Sequence, residues 1–320
     1  MPSTSPLHTA LVHLGAWLRY AHYEFTTVTP ATHARVNARP GAGKARTLRD
    51  VFGWSRPFDS TLLPADAFEA MQSGNLLEPQ AGLFRSKVRF SSLGRMLFAH
   101  SAYPTQGADA VFFGPDTCRF AALIENTLRE QPLKEAARIL DVGCGAGPGG
   151  LVAARHNGLP AELVLADINP QALAYARANA ELNGVAGAQC RQGDLYGAAE
   201  GQFDLIVANP PYLVDPAGRV YRNGGGSLGT GLGERIVAEG IPRLRPGGQL
   251  LLYTGVPILE GRDPFLEAVE PVLKRAGCRF HYRELDPDVF GEELEMPAYA
   301  AADRIAAVAL TVQQKGKAQP

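Results

Sequence analysis

The chain has no apolar run long enough to span a bilayer, and its first residues lack the charged-then-apolar pattern of a signal peptide. A membrane-embedded or exported protein is therefore not expected, and the expected compartment is the cytoplasm. Only four cysteines are present (Cys118, Cys144, Cys190 and Cys278), scattered singly with no CxxC and no Cys/His ligand spacing. This excludes a disulfide framework and a zinc-finger pattern, and the four read as reduced thiols. The seven histidines include no HExxH, and although His8, His13, His22 and His33 crowd the N-terminal third, no carboxylate pattern accompanies them. No metal site is expected. A net charge of −1 gives the whole molecule no polyanion-binding signature.

Charge is slightly uneven along the chain: residues 1–137 carry 14 Lys+Arg against 11 Asp+Glu, and the remainder 17 against 21. The basic excess gathers in Arg35, Arg39, Lys44, Arg46 and Arg49. A solvated loop and helix face is the favoured reading of this cluster, with a nucleic-acid patch as the alternative. The 320 residues, 46% of them hydrophobic and 20% charged, are enough for one large or two smaller soluble domains with a sizeable core.

Two regions differ in pattern. Residues 7–25 have helical apolar spacing in Leu7, Leu11, Leu14 and Leu18. Thr29-Pro30 reads as an N-cap followed by proline at the first helical position, and Pro64-Ala65-Asp66 as a helix start that Gly74-Asn75 ends. Residues 83–99 favour strands. Residues 1–105 are thus expected to form a small α+β domain for substrate or partner recognition, with a winged-helix-like arrangement among its options. From Arg138 the pattern alternates. Strands are expected at 138–142, 162–168, 188–193, 203–209, 248–255, 278–285 and 303–312, and helices near 148–157, 170–183, 230–243 and 263–276. Such alternation predicts a doubly wound, largely parallel seven-stranded sheet over 106–312. No helical segment separates the last two strands, so they are expected to pair antiparallel. Residues 313–320 are expected to be a disordered tail.

Asn209-Pro210-Pro211-Tyr212 carries the most chemistry. It ends the apolar run Phe203-Asp204-Leu205-Ile206-Val207-Ala208. Neither proline has an N–H, so the strand must stop there, leaving an amide, two carbonyls and an aromatic ring at its carboxyl end. Ligands of open α/β sheets sit at that end. The Asn oxygen and a proline-flanked carbonyl can accept from the two N–H bonds of a flat NH2 group, while the Tyr face stacks on its plane. For the tetrapeptide in isolation, a strand stop with a turn is the alternative.

Upstream, Asp141-Val142-Gly143-Cys144-Gly145-Ala146-Gly147-Pro148-Gly149-Gly150 is a strand end running into a glycine-rich turn and a helix. The next strand ends at Asp167, placed to take both hydroxyls of a ribose, and the third leads to Gly193-Asp194-Leu195, whose acid suits an adenine amino group. Gly145, Gly147 and Gly150 formally match a dinucleotide fingerprint, but the match starts late and Asp141 offers nothing to a pyrophosphate. A carboxylate there suits an ammonium instead. Three acids at three successive strand ends fit a cationic adenosyl ligand. Helix caps and loop acids are the alternative.

DVGCGAGPGG, LADINPQAL, GDL and NPPY, in this order, resemble the class I S-adenosylmethionine-dependent methyltransferases over residues 108–312. NPPY is similar to two groups, the protein glutamine N5-methyltransferases of peptide release factors and the adenine-N6 methyltransferases of DNA and RNA. Ribosomal RNA guanine-N2 enzymes usually carry NPPF, so Tyr212 counts modestly against them. The resemblance implies S-adenosyl-L-methionine as cofactor. It implies cofactor contacts from Phe113, Asp141, Gly143, Gly145, Gly147, Asp167, Ile168, Asp194, Leu195 and Asn209, and catalysis by Asn209, Pro210, Pro211 and Tyr212. Phe113-Gly114-Pro115-Asp116-Thr117 resembles the segment that precedes the first motif in the glutamine enzymes. Departures lie after NPPY, where those enzymes usually have Glu-Pro, and in residues 286–299, which interrupt the last strand pair. Tyr221 and Arg222 are candidates for gripping a substrate backbone or phosphate, with a solvated glycine-rich loop as the equal alternative. A protein glutamine is the favoured methyl acceptor and adenine in RNA or DNA the second; a non-catalytic subunit that keeps the fold is the third.

Overall fold

The computed structural model describes residues 5–105, 107–216, 218–219 and 221–316. Its contacts divide the chain into two compact units.

The first unit comprises residues 1–119, 145–148 and 170–186. Its helices are α1 (Pro6–Tyr20), α2 (Pro30–Asn37), α3 (Leu48–Phe52) and α4 (Ala65–Ser73), and its strands are β1 (Leu77–Gln80), β2 (Leu83–Ser86), β3 (Val88–Leu93) and β4 (Met96–Ser101). The start signals work as their chemistry requires. Ser5 caps α1 ahead of Pro6, Thr29 caps α2 ahead of Pro30, and Thr47 and Asp50 form a reciprocal capping box on α3. α1 ends five residues before the sequence pattern does. His22 turns left-handed at φ 52°, and Tyr23 and Phe25 enter the core from coil rather than from a helix. The strands form two antiparallel hairpins, β1 with β2 and β3 with β4.

One helix of this unit, α7 (Pro170–Leu182), lies far along the chain. Asn179 Nδ2 donates to the Ala99 carbonyl (2.9 Å) and its Oδ1 accepts from the Ala99 N–H (2.8 Å). Asn183 repeats the pattern on Leu97, at 2.9 and 3.1 Å. Residues i and i+4 on a helix lie about 6 Å apart along the axis, and i and i+2 on a strand nearly 7 Å. Two side-chain amides therefore act as the missing neighbour strand for the outer edge of β4.

The second unit holds α6 (Pro148–Asn157), apart from its first residue, and all seven strands of the main sheet. These are β5 (Ala137–Val142), β6 (Ala161–Asp167), β7 (Gln189–Gln192), β8 (Phe203–Ala208), β9 (Leu244–Ile258), β10 (Arg279–Asp286) and β11 (Arg304–Gln313). Their order is β10-β11-β9-β8-β5-β6-β7, with β11 antiparallel to both its neighbours and the other ladders parallel. This is the α/β architecture that the alternation predicts. β9 is longer than expected because Arg245-Pro246-Gly247-Gly248 bulges out of register between the Phe203↔Leu244 and Leu205↔Gln249 pairs. Helices α8 (Gly231–Gly240) and α9 (Pro264–Arg275) precede and follow β9, while α5 (Pro115–Glu130) runs across the division between the units. Two short 3-10 turns, Gly291–Glu295 and Pro297–Tyr299, fill the connection from β10 to β11. Of the expected tail, Gln313 belongs to β11, and residues 317–320 lie outside the described residues. No helix among the described residues is long and apolar enough to cross a membrane, and none of their His, Cys, Asp and Glu side chains cluster as a metal site.

Candidate active site

The carboxyl ends of β5, β6 and β8 carry the motifs. After β5 the backbone turns through Gly143, Gly145 and Gly147, all at positive φ (66°, 55° and 85°), a region that side chains enter only with strain. A Cβ on Gly143 would meet nothing within 4 Å, so the turn faces open space there. The Cys144 N–H donates to the Ala166 carbonyl at 2.9 Å, pinning the turn to β6. Asp141 is buried, and its Oδ2 accepts from the Gly150 N–H at 2.7 Å at the start of α6. A Cβ on Gly149 would lie 3.0 Å from that oxygen and 2.6 Å from Phe120, so only glycine lets α6 begin so close to the carboxylate. Burial pushes the Asp141 carboxyl up to about 7; the Gly150 N–H opposes this and the Asp167 charge adds to it.

At the tip of β6, Asp167 Oδ1 accepts from the Asn169 N–H at 2.8 Å and the Asp167 carbonyl from the Gly193 N–H at 3.1 Å. Ile168 is 53% exposed, which is unusual for its type, and leaves a large apolar side chain beside an acid at a strand end. After β7, Asp194 is exposed and ion-paired to Arg235 at 3.0 Å, so any ligand amine there competes with a guanidinium. Leu195 follows at φ 44°.

The NPPY segment follows β8 directly. Asn209 is half-buried, and its amide makes no hydrogen bond to another described side chain or backbone group. Tyr212 is 8% exposed. Its ring lies edge-on to Phe290 at 5.8 Å and 71° and against the backbone of Gly255 on β9, where any Cβ would overlap the ring. Phe290 is itself left-handed at φ 55°, an outlier for so bulky a residue and a position that the surrounding structure must over-determine.

The loop after NPPY folds back on it. The Gly224 N–H donates to the Leu213 carbonyl at 2.8 Å, the Leu213 N–H to the Arg222 carbonyl at 3.2 Å and the Leu232 N–H to the Gly224 carbonyl at 2.7 Å. A Cβ on Gly224 would lie 2.7 Å from the Pro211 carbonyl oxygen and overlap that of Gly229. The connection from β10 to β11 clamps the same loop. Buried Tyr299 accepts from the Val214 N–H at 2.8 Å, and Glu293 pairs with Arg222. Asp215 is held below the usual carboxylate range mainly by the Arg219 guanidinium, with Arg222 contributing from 3.6 Å.

The sequence-predicted residues thus fall into groups. Asp141, Gly143, Asp167, Ile168, Asp194 and Leu195 stand at the carboxyl ends of adjacent strands, and Asn209 to Tyr212 at the end of the next one. Gly145 and Gly147 supply left-handed turn positions. Arg222 is engaged by Glu293 and Asp215, and Tyr221 lies under the Arg219 guanidinium at 5.8 Å, so both have structural tasks in the loop. In the first unit, the Phe113 ring is buried, stacked on His100 at 4.9 Å and beside Phe98 at 5.5 Å, which occupies both its neighbours with protein. Sequence reasoning noted the segments around Gly224 and in 286–299 only as departures, did not read the contacts of Gly224, Phe290 and Tyr299 with NPPY and its loop, and did not single out Gly255. The glycines around residue 224 were the one local signal.

The family model of the methyltransferase small domain matches residues 121–255, a span that contains the glycine turn, all three strand-end acids and NPPY. The release factor glutamine methyltransferase of Deinococcus radiodurans is 35% identical over 185 residues, which cover 53% of this chain and 61% of that protein. That of Bordetella pertussis is 32% identical over 187 residues (53% and 63%). The ribosomal RNA small subunit methyltransferase C of Chromohalobacter salexigens is 36% identical over 115 residues, covering 36% of this chain and 30% of its own length. The chain thus spans about six-tenths of the two release-factor relatives and about three-tenths of the ribosomal one. Residues 121–255 carry a methyltransferase domain.

Proposed function

We propose that the chain is an S-adenosylmethionine-dependent N-methyltransferase acting on a planar NH2 group, with the side-chain amide of a protein glutamine as the favoured acceptor. The observation that carries this reading is Asn209. Its uncommitted amide stands at the end of β8, next to a ring wedged between Gly255 and Phe290.

The residues present fit the cofactor. Asp141 is a buried carboxylate whose charged form needs a cation nearby, which the ammonium of a methionine moiety provides. Gly143 leaves its side of the turn open, Asp167 offers a carboxylate to a ribose, and Ile168 offers apolar surface to a base. When bound, the cofactor supplies an electrophilic methyl on a sulfonium. The protein supplies position. Asn209 Oδ1 and the Pro210 carbonyl accept from the two N–H bonds of the substrate, which aims the remaining lone pair. Tyr212 fixes the plane, and Gly224 and Gly255 let the backbone and β9 hold that ring in place. An amide nitrogen is a weak nucleophile because its lone pair is delocalised, so orientation and electrostatics carry the rate. No side-chain base is required, since the methylated product loses its proton to water.

Two observations support the amide over a base. The more extensive similarities are to release factor glutamine methyltransferases. Tyr212 is also nearly buried, with Phe290 across its edge, and a small side-chain amide needs less open ring than a purine does. Adenine in RNA or DNA is the second reading, favoured by the similarity to a ribosomal RNA methyltransferase.

The test is transfer of a radiolabelled methyl from S-adenosylmethionine into a lysate of cells lacking this protein, with the Asn209→Ala variant alongside. Label that only protease releases supports the glutamine reading. Label that only nuclease releases, with binding that weakens steeply with salt, moves the assignment to adenine. Equal labelling by the Asn209→Ala variant, or none by the wild type, defeats the proposal.

A further inference from the structure

The first unit contains a guanidinium that its fold leaves unanswered. Arg89, on β3, is 4% exposed, and its Nε and Nη2 are buried with no hydrogen-bond acceptor among the described residues. The Phe25 ring, 5.4 Å from the guanidinium carbon, covers one face but accepts neither N–H. Burial pushes the group down only to about 10, so it stays charged at neutral pH. A buried charge without a partner is strongly destabilising, and native folds pair it, neutralise it or bind a counter-ion.

The surroundings add cations rather than a counter-charge. Arg56 takes Asp50, whose other oxygen accepts from the Arg46 and Thr47 N–H groups and the Thr47 hydroxyl. Arg85 donates to the carbonyls of Ser55 (3.1 Å) and Tyr103 (2.9 Å). Among these guanidinium groups, Arg89 is the one whose buried Nε and Nη2 meet no oxygen among the described residues.

His33 is a second unanswered donor. It is 1% exposed, stacked on Tyr103 at 3.9 Å and next to Trp54 at 5.3 Å. Asn37 fixes its tautomer. The Asn37 Oδ1 accepts from Arg56 Nε (2.9 Å), so its Nδ2 faces the Trp54 carbonyl (2.9 Å) and His33 Nδ1 (3.3 Å) as a donor. The ring proton therefore sits on Nε2, which is buried and outside hydrogen-bond geometry with any acceptor, the Gly53 carbonyl included. Burial, then the charge of Arg89, push His33 down to about 4, so it is neutral under ordinary conditions. A buried N–H whose nearest acceptor, the Gly53 carbonyl, lies outside good geometry keeps much of the desolvation cost of the group.

We infer that Arg89 and His33 are the donors of a buried anion site in this unit, and that it takes a small oxyanion with two coplanar oxygens, a carboxylate or a phosphate. The Nε–Nη2 edge of a guanidinium is the edge that meets such a pair of oxygens through two parallel hydrogen bonds. His33 Nε2 supplies a third donor, and the rings of Phe25, Tyr103 and Trp54 supply the dry surroundings in which charge-assisted bonds are strong. The Arg35–Arg49 cluster of the sequence lies in this unit, and its field concentrates anions near it.

The experiment measures thermal unfolding of the full chain in phosphate, in acetate and in chloride alone, at constant ionic strength, together with equilibrium dialysis against radiolabelled phosphate. Phosphate, acetate or both should raise the midpoint saturably by roughly 5 °C, with one site per chain. Which anion acts identifies the ligand class. The rise should vanish in Arg89→Met, and His33→Gln should weaken binding at least about tenfold. If Arg89→Met does not fold, Arg89→Lys keeps the charge without the two-pronged edge and should also bind at least about tenfold more weakly. The absence of a rise with either anion overturns the site. So does a rise that persists undiminished in the Arg89 variants.

Discussion

Asp141 makes cofactor binding a proton-linked event. Its carboxyl is pushed up to about 7, so about half the free protein carries it protonated at pH 7 and roughly nine-tenths at pH 6. A cationic ligand next to it favours the carboxylate and returns its pKa toward the ordinary value near 4. Affinity is then expected to fall roughly 50-fold from pH 7 to pH 5, and binding at pH 6 to release about one proton. The ligand ammonium stays charged over that range. Calorimetry of S-adenosylmethionine binding in two buffers of different ionisation enthalpy measures both quantities. Asp141→Asn keeps an acceptor for the Gly150 N–H, so it should bind more weakly at pH 7 and lose the pH dependence. The same linkage acts on folding. The folded carboxyl has the higher pKa, so the folded state holds more protons between about 4 and 7, and the ligand-free protein loses stability as pH rises through that window. Ligand should cancel that loss. Equal affinity at pH 5 and pH 7 with no proton release would refute the placement of Asp141 beside the ammonium.

Four further outcomes are expected. Asn209→Ala should leave cofactor affinity nearly unchanged while cutting turnover at least about 100-fold, as the loss of a preorganised polar contact does; calorimetry and single-turnover transfer separate the two. Asp167→Ala should instead weaken cofactor binding, and unchanged affinity would count against the ribose contact. Gly224→Ala places a methyl against the Pro211 and Gly229 carbonyls, so it should abolish transfer through displacement of NPPY, with normal turnover arguing against the strap. Asn179→Ala removes an amide with no exposed surface and orphans both polar groups of Ala99. A loss of about 3 kcal/mol in chemical unfolding is expected.

The legible part of the sequence was its local part. Apolar runs and Pro or Gly punctuation mark each strand of the main sheet to within a few residues, most clearly in the central strands, where burial on both faces forces continuous apolar segments, and less so in the exposed edge strands β7 and β10. The cap at Thr29, followed by Pro30, is likewise a local signal, whereas the Thr47–Asp50 capping box was not read from the sequence. The motif positions were legible because a strand stopped by two prolines and a turn built on left-handed glycines need those residues at those places. What contacts them was not. Phe290 reaches Tyr212 across 78 positions, and Tyr299 reaches Val214 across 85; no periodicity encodes such meetings. Arg222 illustrates the converse. In the sequence it reads either as a grip on a substrate backbone or phosphate or as a solvated loop cation, yet it is half-buried between two carboxylates. β1 escaped notice because Leu77-Glu78-Pro79-Gln80 has neither alternation nor β-propensity, and exists only as the partner of β2.

The asparagine pair on α7 bears on what happens when the chain is cut. The outer edge of β4 offers the N–H and C=O groups of Leu97 and Ala99 to any extended segment that approaches, and such bare edges seed intermolecular pairing. In the intact chain Asn179 and Asn183 occupy those groups from a helix some 80 residues downstream. During synthesis the hairpin therefore emerges well before its cover, and a fragment ending near residue 105 keeps the edge permanently open. The segment that reads as a separable domain is thus an aggregation hazard on its own, because the helix that shields it is encoded inside the methyltransferase motif region.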